Sequence, residues 1–75
     1  MENNLVIQTN SVEINNEEYP KNTLAIEQIG DSVIVKTVSE GKTLGQGEFA
    51  SWKTGGVPYA SKTALITALR GALFG

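Results

Sequence analysis

The groups in this chain that could do chemistry are few, and their spacing decides what each is for. Gly41-Lys42-Thr43 copies the end of a phosphate-binding loop, in which backbone amides and the Lys hold nucleotide phosphates. The first Gly of that pattern, G-x-x-x-x-G-K-T, would fall at Lys36, and Gly45 and Gly47 stand where a helix must begin. The segment is therefore read as a polar turn. Gly45-Gln46-Gly47-Glu48-Phe49-Ala50 has the letters of a dinucleotide fingerprint, G-x-G-x-x-A. No helix of useful length fits before Gly55-Gly56, and too little chain follows for a βαβ unit. A bend, a bulge or the close approach of another backbone is the expectation there. Glu13, Glu17, Glu18, Glu40 and Glu48 could in principle pair for acid and base work. All of them sit beside turns or at outward positions, with no Arg to organise them, so they are read as solvated surface and no catalytic residue is nominated.

Composition removes further classes. The chain has 75 residues with no Cys and no His, which excludes disulfides, zinc-finger ligand sets and Cys or His nucleophiles. No metal or other cofactor is implied. Six basic and eight acidic residues give a net charge of -2, and the cations at Lys21, Lys36, Lys42, Lys53, Lys62 and Arg70 are scattered. Nucleic-acid binding needs them clustered, so no nucleic-acid partner is expected. Met1-Glu2-Asn3-Asn4 carries no positive side chain and Leu5-Val6-Ile7 is short, so neither a signal peptide nor a membrane span is expected. A domain of this size hides only about 60% of its unfolded surface. Association is the remaining way to supplement such a core.

The elements that must position these residues centre on Thr23 to Val38. A two-residue Gly30-Asp31 turn, or a four-residue loop about the same centre, pairs Ile26 with Val35, Leu24 with Thr37 and Gln28 with Val33. Leu24, Ile26, Val33 and Val35 then face a core, and Glu27 and Lys36 face water. The same register puts Ile29, Ile34 and Val38 on the outward face, which makes them candidates for a partner surface. Leu5–Thr9 and Ser11–Ile14 read as short strands, and Asn15-Asn16 as a type I′ turn returning through Glu17-Glu18-Tyr19. Pro20 ends that strand and sends it to a sheet edge. Ser39-Glu40-Gly41-Lys42 is a turn, Thr43–Phe49 reads as the last strand, and Lys53–Pro58 reads as a loop. From Tyr59 or Ala60 the period changes to 3.6. Ser61 or a neighbour starts a helix with Leu65, Ile66, Ala68, Leu69, Ala72 and Leu73 on one face. Thr63, Thr67 and Arg70 lie opposite, and Phe74 lies off the buried face.

The expectation is an α+β fold in one domain, residues 1–75. A small antiparallel β-sheet or open barrel of about five to six strands occupies residues 1–56, and a loop and C-terminal helix packed on it occupy residues 57–75. Tyr19, Trp52 and Tyr59, amphipathic aromatics near turns and Gly-rich loops, serve either as core or as interface. With Ile29, Ile34, Val38 and Phe74 they complete the candidate interface.

The Met1-Glu2-Asn3-Asn4 start, strands rich in Asn, Thr and Val, the Ile29-Gly30-Asp31-Ser32-Val33 turn, and the Gly56-Val57-Pro58-Tyr59-Ala60-Ser61-Lys62-Thr63-Ala64-Leu65-Ile66-Thr67-Ala68-Leu69 ending together resemble small bacteriophage virion proteins. Such proteins are short β modules, often with a terminal helix, that assemble on heads, connectors or tails. The resemblance transfers no functional residue. It implies a non-enzymatic structural protein located in the virion, partnered by its own copies and by other virion proteins, with no small-molecule substrate. The alternative is a protein- or peptide-binding module of a bacterial cytoplasmic complex, using an exposed strand edge.

Overall fold

The structure, a computed structural model, describes residues 2–74. Strand β1 (Asn3–Ile7) pairs antiparallel with β2 (Ser11–Ile14), and β2 with β3 (Glu17–Pro20). Asn15 and Asn16, at φ 53 and 73, make the left-handed turn between β2 and β3. Asn adopts this region more readily than most residues, because its short side chain bonds locally. Here the Asn15 side chain accepts from the Asn4 N–H at 2.9 Å. A single-turn 3-10 helix, Lys21–Thr23, leads to β4 (Leu24–Ile29), and Gly30-Asp31 returns the chain into β5 (Ser32–Thr37). The pairs Leu24–Thr37, Ile26–Val35 and Gln28–Val33 are those the hydrophobic pattern selects.

Strand β6 (Thr43–Gly47) continues this second sheet, with a register shift opposite Val35 and Lys36. After a 3-10 turn at Phe49–Ser51 come β7 (Trp52–Thr54) and β8 (Val57–Pro58). Helix α1 (Lys62–Phe74) ends the described chain. Its first turn is capped by Ser61, whose Oγ accepts from the Ala64 N–H at 3.1 Å. No helix among the described residues is long and apolar enough to cross a membrane.

The α+β class with one C-terminal helix holds, while its sheet content is larger than the period-two pattern indicates. There are two sheets, ordered β3-β2-β1-β7-β8 and β4-β5-β6, and β1 with β7 is a parallel pair. Thr43–Phe49 does not hold the last strand. The stretch read as a loop is a hairpin that turns at Gly55 and Gly56, φ 61 and 81. The division at residue 56 therefore cuts between two paired strands.

The core lies between the sheets and under the helix. Leu5, Val12 and Ile14 come from the first sheet, Leu24, Val33 and Val35 from the second, and Leu65, Ile66, Leu69 and Ala72 from α1. Trp52, on β7, is wholly buried among them. Its indole N–H is shared between the Val33 carbonyl at 3.3 Å and the Gly47 carbonyl at 3.2 Å, so one side chain of the first sheet ties together β5 and β6 of the second.

Candidate assembly surface

Two of the sequence-nominated interface residues are not on the surface. Trp52 is 0% exposed, a core residue. Ile34 is 6% exposed although its register faces it away from the main core. The correction has a cross-strand cause: Ile34 lies between Glu27 and Gln46, and Lys36, two residues on, reaches Glu27 as an ion pair. The aliphatic stems of long charged side chains cover apolar surface in this way while their ends stay wet.

Tyr19 and Tyr59 are half-buried and pack against the core with their hydroxyls outward. The Tyr19 hydroxyl donates to Glu17 Oε2 at 2.7 Å, which holds its pKa above the ordinary phenol value. The Tyr59 hydroxyl bonds Thr54 Oγ1 at 2.7 Å and so fastens the β7–β8 hairpin to the approach to α1. Ile29, Val38 and Phe74 are exposed, at 59%, 63% and 70%. Sequence reasoning missed Val57, exposed at 66% on β8, and the half-open Val6 and Ile7 of β1. Only the pairing of β7 and β8 reveals where Val57 projects.

The helix fixes where the exposed residues sit relative to one another. Lys62 Nζ donates to the Gly30 carbonyl at 2.8 Å, holding the start of α1 at the β4–β5 turn. From there α1 packs along β4 to the Lys21–Thr23 turn, so it runs antiparallel to β4. Phe74 therefore reaches the end of the molecule where the Val38 N–H donates to the Thr23 carbonyl. Ile29 marks the opposite end of the same hairpin.

The four sheet edges differ in what they leave unpaired. On β3 the outward residues are Glu18 and Pro20; Pro20 has no N–H, and its carbonyl accepts from Thr23 Oγ1 at 2.7 Å. Charge and Pro on a short strand are the usual means of blunting an edge. The last strand of that sheet, β8, is two residues long and contains Pro58. On β6 two outward carbonyls are capped by side chains, Gln46 by Asn3 Nδ2 at 3.0 Å and Leu44 by Asn15 Nδ2 at 3.3 Å. Asn3 is the one buried polar residue among those described, and Asn15 Nδ2 also donates to its Oδ1 at 3.3 Å. These asparagines staple the two sheets. The signal for them was Asn3 in phase with Leu5, a polar residue at a core position.

Strand β4 is different. The Val38–Thr23 bond and the pairing across Gly30-Asp31 set the ladder, so Ala25, Glu27 and Ile29 bond β5 while Leu24, Ile26 and Gln28 point away from it. The Leu24 N–H is taken by the Lys21 carbonyl. The Leu24 carbonyl and both backbone groups of Ile26 and of Gln28 have no partner among the described residues. An unpaired backbone group removed from water is costly, so these remain hydrated and accessible.

Gly41-Lys42 closes the connection between β5 and β6 with Gly41 at φ 66, Thr43 begins β6, and the carboxylates of Glu17, Glu18, Glu40 and Glu48 lie on exposed residues. Glu13, half-buried, accepts from Gln8 Nε2 at 2.8 Å, and Glu18 accepts from the Ser11 hydroxyl at 2.6 Å. No pocket and no metal-holding cluster of acidic side chains occurs among the described residues. Comparison of the chain with protein-family models, with curated proteins and with solved structures gives no match.

Proposed function

We propose that the protein is a non-enzymatic structural subunit of a bacteriophage particle, a head, connector or tail accessory component that acts by assembling with its own copies and with other virion proteins. The observation that carries the assembly role is the distribution of exposed apolar side chains. Val38 and Phe74 share one end of the domain and Ile29 holds the other, each more than half exposed on a small chain without disulfides. A subunit with apolar contacts at both ends fits between neighbours. The virion setting is supported by the resemblance in sequence and by the mildly acidic, Cys-free composition.

The test is to purify particles by density gradient from the strain that carries the gene and to quantify this protein in them. A fixed number of copies per particle is the expected result. Recovery only in the soluble fraction, bound to a cellular protein, would replace the virion reading with that of a binding module working through the open β4 edge.

A further inference from the structure

We infer that the β4 edge is a self-pairing edge: two copies of the chain join β4 to β4, antiparallel, about a two-fold axis at Ile26, which makes their two three-stranded sheets one continuous sheet. The inference deepens the assembly reading and rests on it for the expectation that copies associate at all.

The free groups are arranged for this partner. Leu24, Ile26 and Gln28 are the outward residues of β4, and they are symmetric about Ile26. Placing Ile26 opposite Ile26 of the second copy sets Leu24 opposite Gln28. Each Ile26 then gives its N–H to the other's carbonyl, and each Gln28 N–H reaches the Leu24 carbonyl of the second copy. Every unpaired donor of the edge finds an acceptor. The Leu24 N–H is already used within the chain, so the Gln28 carbonyl of the second copy, which it would otherwise serve, stays hydrated at the end of the ladder.

Side chains agree with the same register. On the outward face Glu27 comes opposite Ala25 of the second copy, so no two carboxylates are directly opposed, and Glu27 keeps its own ion pair with Lys36. Like charges directly opposite would oppose pairing. Exposed Ile29 arrives opposite Thr23 of the second copy, with exposed Val38 one strand beyond Thr23 on the same face. A two-fold axis perpendicular to the sheet puts both helices on one side of the joined sheet. The remaining edges carry Pro, charge or asparagine caps, which disfavours pairing along them.

The experiment uses the full chain alone: its mass is measured by light scattering over a concentration series, with residue-resolved amide exchange at the low and high ends. A dimer is expected, with the amides of Ile26 and Gln28 gaining protection as concentration rises. Gln28→Pro removes an outward donor on an exposed residue that the in-chain ladder does not use, and should leave a folded monomer. Ala25→Glu, which opposes Glu27 of the second copy, should weaken dimerisation about tenfold while the melting curve of the dilute protein keeps its shape. A monomer at every concentration overturns the inference. An oligomer that Gln28→Pro and Ala25→Glu both leave intact also overturns it, yet leaves self-assembly through another surface standing. Finding the protein absent from particles would overturn the virion reading without touching the β4 pairing.

Discussion

Replacing Trp52 by Phe removes a buried N–H that satisfies two carbonyls and leaves a void beside Gly45, so the expected loss is about 2 to 4 kcal/mol. Thermal melts measure it. Gly45 is itself constrained, because a Cβ there would lie 2.7 Å from Trp52 Cη2 and 3.3 Å from Ile14 Cγ2. Gly45→Ala should cost about 1 to 3 kcal/mol through overpacking and shift the Trp fluorescence. Gly47 meets the same limit at Ser51 Oγ, 2.2 Å from its added Cβ. The sequence indicated a bulge, a bend or close approach at these glycines, and a bulge beside Leu44 and close approach both occur. Tyr19 supplies a pH test. Its hydrogen bond to Glu17 favours the neutral phenol, so the stability it adds is complete below the unfolded pKa of about 10 and is lost as pH rises through the higher folded value. In a Tyr59→Phe background, absorbance titration should give a midpoint above the ordinary phenol value, and Glu17→Gln should lower it.

At the scale of elements, the β4–β5 hairpin offers the sharpest contrast. Val35 is wholly buried, and Val35→Asp puts an unpaired carboxylate into the core at a cost of several kcal/mol, comparable with the stability of a small domain. Glu27→Lys breaks only a partly exposed ion pair and should cost at most about 1 kcal/mol. Equal melting temperatures for the two variants would reverse the register. The helix makes a parallel case: Ser61→Ala removes its capping oxygen and should cost about 1 kcal/mol, read from the same melts.

For the whole molecule, the core is shared rather than owned by either sheet. Leu65 and Leu69 of α1 are 0% exposed against residues of both sheets, and β8 begins immediately after residue 56. A chain ending at residue 56 should therefore be unfolded or aggregated. A dispersed amide spectrum from that fragment would make α1 an assembly arm instead of a core element. The asparagine staples test the same unity from the other side. Asn3→Ala and Asn15→Ala each loosen the seam between β1 and β6, and because they share partners their combined effect should depart from the sum by about 0.5 to 3 kcal/mol.

What the sequence determined by itself is what neighbouring residues decide together. The register of β4 with β5 follows from a period of two read across a short turn. The Asn15-Asn16 turn and the Gly41 turn follow from residues that tolerate left-handed φ, the edge position of β3 from the missing N–H of Pro20, and the helix face from a period of 3.6 after a Ser cap. Only the tertiary structure decided the rest. Strands of three and two residues, β7 and β8, are too short to carry a period, and the parallel pairing of β7 with β1 joins segments far apart in the chain. The bond from Asn3 to the Gln46 carbonyl spans 43 residues. Whether Trp52 is core and whether Ile34 is covered depend on which chains arrive opposite them, and that is settled when the sheets close on each other, where a local pattern has no say.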